Sequence, residues 1–156
     1  MAANELANFT TLGVGGPATR IILAKSEEEL ISAVKASDEL KEPLLILGGG
    51  SNILVSDNGF VGTVIKVETS GNSFEIDACS GGTLTVSAGT DWDEFVAFTI
   101  EKGLANLESL SGIPGTVGGS PIQNIGAYGH EVSEVIARVR TFDRRNQEVK
   151  TFTASQ

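Results

Sequence analysis

Two glycine-rich stretches hold the residue types best suited to chemistry. The first is Gly48-Gly49-Gly50-Ser51-Asn52. Glycines tolerate positive φ, and without Cβ atoms they let backbone N–H groups close on an anion. Ser51 and Asn52 add side-chain donors, so the stretch suits a pyrophosphate. It is not a Walker loop, because no Gly-Lys-Ser/Thr follows, and it is not a G-x-G-x-x-G that opens a helix. A tight turn between strands is the competing reading of the same residues. The second stretch, SGIPGTVGGSPIQNIGAYG from Ser111 to Gly129, contains no charged residue, whereas globular chains average about 25% charged. Its amides and hydroxyls can bond a neutral or anionic ligand without a fixed counter-charge. Ile113, Val117, Ile122 and Ile125 argue against disorder, and long aperiodic loops usually serve a function. The segment reads as one that wraps a large, mostly flat ligand. Neither stretch holds Lys or Arg, so phosphates bound here would be held by backbone N–H groups.

Other reactive residue types have plainer explanations. The chain has one His (His130) and one Cys (Cys79), which leaves zinc without a ligand set. A nucleophilic cysteine needs a neighbouring base, and Cys79 has none in view. Asp91, Asp93 and Glu94 form an acidic first helical turn that the helix dipole explains without a metal. Trp92, beside them, fits core packing better than stacking on an adenine. The net charge of −9, from 20 acidic and 11 basic residues, argues against a nucleic-acid or anionic-membrane partner. Arg138, Arg140, Arg144 and Arg145 sit in a strand–turn pattern and read as surface charge. A single cysteine rules out an internal disulfide. No apolar run approaches the ~18 residues of a membrane-spanning helix. The opening MAANELANFT carries no secretory pattern, so the expected location is cytoplasmic.

The elements that must position the two stretches follow from periodicity and capping. Residues 20–24 predict a short strand. Ser26 with Glu29 three residues on predicts a capped helix start, and the helix runs to about Leu40. The apolar run Leu44 to Leu47 predicts a strand buried on both faces, and residues 62–67 predict another strand. Residues 73–78 and 83–88 predict an antiparallel hairpin split by Gly81-Gly82. Asp91 caps a second helix, which ends at Gly103. Residues 104–130 show little periodicity. Residues 134–142 and 147–153 predict a strand pair around the turn Arg144-Arg145-Asn146. The fold class is therefore mixed α/β (α+β), with a β-α-β subdomain over 1–68 and an α+β subdomain over 69–156.

The segments LGGGSNILVSDNGFVGTVI and SGIPGTVGGSPIQNIGAYG, with NFTTLGVGGPA and AGTDWDEFVAFTIEKGLANLESLSGIPG, resemble the FAD-binding part of the UDP-N-acetylenolpyruvoylglucosamine reductase family, the flavoenzymes of bacterial cell-wall synthesis. The resemblance spans nearly the whole chain. It implies the FAD-binding fold of the vanillyl-alcohol-oxidase (PCMH) type, with FAD as cofactor and NADPH as reductant. It also implies a UDP-sugar substrate, UDP-N-acetylglucosamine enolpyruvate, reduced to UDP-N-acetylmuramate. By the same resemblance Gly48, Gly49, Gly50, Ser51, Asn52 and Ile53 surround the pyrophosphate. Ile113, Pro114, Gly115, Thr116, Gly118 and Gly119, with Ile122, Asn124, Gly126, Ala127 and Tyr128, contact the isoalloxazine, the ribityl chain and the remaining phosphate. The family's Tyr-Arg-x-Ser motif and its later catalytic serine and glutamate do not occur before Gln156. The expectation is thus a truncated piece of a reductase, with no catalytic residue, no substrate-binding domain and no activity of its own. It would pair with other copies through an edge strand at 134–142 or 147–153, or leave its C-terminal residues disordered, and it would hold FAD weakly or not at all. The rival readings are another FAD-dependent oxidoreductase of the same fold and a non-catalytic nucleotide-binding module.

Overall fold

The computed structural model describes residues 4–77 and 81–156. Cys79 lies outside the described residues. The chain divides into two compact units, Met1–Thr69 with Phe142–Val149, and Ser70–Thr141 with Lys150–Gln156. Among the described residues no helix is long and apolar enough to cross a membrane.

The first unit holds β1 (Ala18–Ala24), α1 (Glu27–Glu39), β2 (Leu44–Leu47) and β3 (Phe60–Val67). The sheet order is β1-β3-β2, with both pairings parallel. Ser26 starts α1 as its sequence predicts, its hydroxyl accepting the Glu29 N–H at 3.2 Å. The Glu29 carboxylate reaches back to the Lys25 N–H at 2.7 Å, so two helix-start donors are satisfied together. Alternate residues of β3 face opposite layers. Val64 packs with Leu6, Ala18 and Leu47 on one face. Ile65 packs with Ala24, Ala33 and Val34, against α1, on the other.

The expectation that Leu44 to Leu47 is buried on both faces is corrected. β2 stands at the sheet edge and Ile46 is 46% exposed. The enclosed strand is β3, whose Thr63, Val64 and Ile65 are each 0% exposed, because it lies between β1 and β2. Thr63 buries its hydroxyl there without loss, since it donates to Glu42 at 2.9 Å and accepts from Arg20 at 2.8 Å.

The second unit opens with the hairpin β4 (Asn72–Asp77) and β5 (Gly81–Val86), antiparallel with Phe74 opposite Leu84. Gly82 belongs to β5, so the predicted split of the hairpin at Gly81-Gly82 falls too late. Helix α2 (Trp92–Glu101) is capped by Asp91, whose side chain accepts the Asp93 N–H at 2.9 Å and the Glu94 N–H at 3.1 Å. Gly103, at φ +71, follows the helix in the left-handed conformation that a C′ glycine supplies. Trp92, Phe95, Val96, Leu107, Leu110 and Val132 form the core of this unit.

Short elements follow: 3-10 turns at Glu108–Leu110, Val117–Ile122 and Val132–Glu134, and the two-residue strands β6 (Gly126–Ala127) and β7 (His130–Glu131). The last two strands are β8 (Arg138–Asp143) and β9 (Glu148–Thr153), which form a two-stranded sheet. The strand predicted from residue 134 starts four residues later. Glu131 and Glu134 make a reciprocal capping box that commits Val132–Glu134 to a 3-10 turn, so Val135 and Ile136 are not strand residues.

Candidate functional site

Gly48–Asn52 leaves β2 at the carboxyl end of the parallel sheet, the side on which open α/β sheets bind ligands. Gly49 and Asn52 are exposed, Gly48, Ser51 and Ile53 are half-buried, and Gly50 is buried. Gly50 has φ +72, and a Cβ built on it would lie 2.0 Å from the Phe9 carbonyl oxygen. The chain around Phe9, part of the NFTTLGVGGPA stretch, therefore presses directly on the loop. It also bonds the loop, since the Thr11 N–H donates to the Gly50 carbonyl at 3.0 Å.

The ammonium of Lys66, in β3, donates to the carbonyl of Gly48. Burial pushes its pKa below the usual lysine value, and the charge of Glu68 partly opposes this. Sequence reasoning found no cation at this loop because it looked within the loop. The available signal was the period of two in β3, which puts Lys66 on the face of Val64, beside Leu47 in register.

The second stretch is laced along residues 88–93. The Trp92 N–H donates to the Gly115 carbonyl at 3.1 Å, the Val117 N–H to Thr90 at 2.9 Å and the Gly118 N–H to Ala88 at 2.8 Å. Asp91 and Thr116 form an isolated antiparallel bridge. A Cβ on Gly118 would stand 2.6 Å from the Ala88 methyl. One oxygen of Asp93 takes both the Ser111 hydroxyl and the Gly112 N–H at 2.7 Å. Those two bonds, the Ser111 one foremost, hold its carboxyl below the usual carboxylate range.

Farther along, Asn124 sits at φ +46, donates to Glu131 at 2.6 Å and accepts the Ser133 N–H at 3.1 Å. Ala127 pairs with His130, so Tyr128 (φ +55) and Gly129 (φ +84) form the two central residues of a type I′ hairpin turn. A tyrosine in the left-handed region is strained, and this one is 90% exposed, as Ile122 is 81% exposed. The strain is thus taken up at an exposed turn, where the ring meets no packing partner among the described residues that would fix its place.

Gly48 to Ile53 thus lie in the first unit and Ile113 to Tyr128 in the second. Trp92 is core, 2% exposed with its indole N–H on the Leu110 carbonyl at 2.8 Å, so it offers no open face to an adenine. His130, expected as a solvated loop residue, is instead in β7; it is exposed and lies 3.2 Å from the Glu134 carboxylate.

Comparison with known proteins identifies the family to which the chain belongs. A family model described as FAD binding domain matches residues 18–152. A UDP-N-acetylenolpyruvoylglucosamine reductase from Cutibacterium acnes is 56% identical over 151 residues, covering 97% of this chain and 40% of that protein. The reductase of the same name from Thermobifida fusca is 47% identical over 152 residues, covering 97% and 42%. The chain spans about two fifths of the length of these curated relatives. Among solved structures, UDP-N-acetylenolpyruvylglucosamine reductase from Thermus caldophilus matches with a TM-score of 0.73 at 30% identity, over 97% of this chain and 51% of that one. A solvent-stable cholesterol oxidase matches with a TM-score of 0.63 at 16% identity, over 96% and 32%. The second likeness is one of fold alone, and both agree with the mixed α/β flavin-binding fold expected from the sequence.

Proposed function

Because the chain belongs to the FAD binding domain family, we propose that it binds FAD for NADPH-dependent reduction of UDP-N-acetylglucosamine enolpyruvate to UDP-N-acetylmuramate, a peptidoglycan precursor. The observation that carries this reading is the fixed backbone of two glycine-rich loops of the expected composition, set by Thr11 and Lys66 in one and by residues 88–93 in the other. The residues fit the cofactor's chemistry. Gly48, Gly49, Gly50, Ser51, Asn52 and Ile53 bring backbone donors and a nearby ammonium to a diphosphate. Ile113 to Gly119 and Ile122 to Tyr128 bring amides and apolar surface to a flat ring and its ribityl chain. The carboxylates beside the second loop, Asp93 and Glu131, are bonded by Ser111, Gly112 and Asn124, which lessens their repulsion of an anionic ligand. Bound FAD supplies two-electron redox chemistry, with NADPH as hydride source and the enolpyruvyl double bond as acceptor. This chain's own residues bind and orient, and none is assigned a proton transfer. The reading carries with it the cytoplasmic location expected from the sequence.

Titration of FAD into the purified chain tests the reading. Saturable one-to-one binding with a perturbed flavin spectrum is expected, and no binding at any flavin concentration overturns it. In a protein containing this chain, NADPH should bleach the flavin and UDP-N-acetylglucosamine enolpyruvate should restore its colour. Restoration by oxygen but not by the UDP-sugar would favour another oxidoreductase of the fold. We also infer pairing between copies along the two-stranded sheet of β8 and β9, because strands at a sheet edge tend to pair between molecules. Light scattering over a concentration series checks this, and a constant monomer mass overturns it.

A further inference from the structure

Lys66 is the penultimate residue of the central strand β3, on the face that packs against Leu6, Ala18 and Leu47. An apolar residue would occupy such a position at lower cost, because a half-buried ammonium gives up hydration. Its partner is the carbonyl of Gly48, the first residue of the glycine loop. A trans peptide sets its C=O and N–H in opposite directions, and the described residues contain no cis peptide. Fixing the Gly48 carbonyl on Lys66 therefore turns the N–H of Gly49 away from Lys66, at a residue that is itself exposed. The next carbonyl but one is fixed in the same manner, Gly50 accepting from Thr11 at 3.0 Å, which turns the Ser51 N–H. Two alternate peptides of the loop are thus anchored by their carbonyls, which fixes the directions of the Gly49 and Ser51 N–H groups, and oriented backbone N–H groups favour an anion.

We propose that Lys66 is a positioning residue of the diphosphate site: through the Gly48 carbonyl it aims the Gly49 N–H at the bound anion, and its charge favours an anion on a loop that has no cation of its own. The inference rests on the reading that this chain binds FAD, and goes beyond it by assigning the loop's orientation to a residue outside the loop.

The test titrates FAD and riboflavin, which lacks the diphosphate, into the full chain and its variants. Lys66→Met, which keeps the apolar stem, is expected to weaken FAD binding about tenfold, the size of a lost charge-assisted hydrogen bond. Lys66→Arg should stay within a few-fold of the parent, and riboflavin affinity should hold in both. Unchanged FAD affinity in Lys66→Met overturns the proposal, as does a parallel fall for FAD and riboflavin, the mark of a merely structural lysine. If Lys66→Met does not fold, Lys66→Gln, which keeps a donor without the charge, takes its place under the same criteria. A parent chain that binds no FAD overturns the functional reading and this proposal with it, whereas a parent that binds FAD beside an unaffected Lys66→Met overturns the proposal alone.

Discussion

The carboxylate of Asp93 accepts the backbone N–H of Gly112 at 2.7 Å, and the same oxygen takes the Ser111 hydroxyl. Asp93 stands in the first turn of α2, where an acidic side chain complements the helix dipole. The structure gives it a second task, which is to tether the start of the long uncharged loop. Asp91 caps the helix and Thr116 bridges to Asp91, so one helix start anchors the loop at two points.

The Asp93 tether makes stability depend on pH with a definite sign. Its folded pKa lies below the ordinary 3.8. A depressed carboxyl contributes stability above the unfolded pKa and loses it as pH falls through the folded value. Asp93→Asn should therefore melt below the parent near neutral pH, and the two melting curves should converge below about pH 4. A melting difference independent of pH would mean that the charge of Asp93 contributes nothing.

Neighbouring glycines of the first loop should fail in different ways. Gly50 combines φ +72 with a blocked Cβ direction, 2.0 Å from the Phe9 carbonyl oxygen, and backbone cannot swing aside as a side chain does. Gly50→Val is expected to cost about 3 kcal/mol or more in folding. Gly49 is exposed, so Gly49→Val should fold near the parent and lose FAD affinity instead, because a branched Cβ holds the backbone off the diphosphate. Denaturant melts beside flavin titrations separate the two effects. Parent-like flavin affinity in Gly49→Val would remove Gly49 from the site.

What the sequence made legible was local. The caps at Ser26 and Asp91 and the terminating Gly103 need only residues within one turn of one another, and each stands where the pattern put it. What it hid was tertiary. The run Leu44 to Leu47 announced hydrophobicity but not place in the sheet, and it became an edge because β3 inserted between β1 and β2. The start of β8 moved because Glu131 and Glu134 satisfy each other's backbone first. Lys66 was invisible as part of the loop for the same reason: its 18-residue separation from Gly48 is closed only by parallel pairing of two strands.

The turn between β8 and β9 offers another charge test. Arg144 donates through Nε to both oxygens of Asp38, at 3.2 and 3.3 Å, and through its terminal nitrogen as well. This holds the Asp38 carboxyl below its usual range. Gln147 bonds the Arg144 carbonyl at 2.8 Å. Lysine carries the charge without the planar fork, so Arg144→Lys should lower the melting temperature more than Arg145→Lys does. In a double-mutant cycle with Asp38→Asn, the losses should be less than additive, and the coupling should fade as pH falls below about 4. Full additivity at neutral pH would show that the pair contributes no coupling.

Trp92 gives the sharpest test of the second core. It is 2% exposed, meets Phe95 edge to face at 5.8 Å between ring centroids, and bonds the Leu110 carbonyl at 2.8 Å. Trp92→Phe keeps most of the aromatic surface but leaves that buried carbonyl without its donor, at about 1–3 kcal/mol, and opens a void beside Val96 and Leu110 that adds to the loss. Because Leu110 leads directly into the loop tethered by Asp93, the variant should loosen residues 111–118 as well, seen as faster amide exchange at Val117 and Gly118. The protein has a single tryptophan, so emission reports this site alone: blue-shifted in the folded parent and red-shifted on unfolding. Trp92→Phe with parent stability and unchanged exchange at Val117 would show that the indole hydrogen bond does not support the loop.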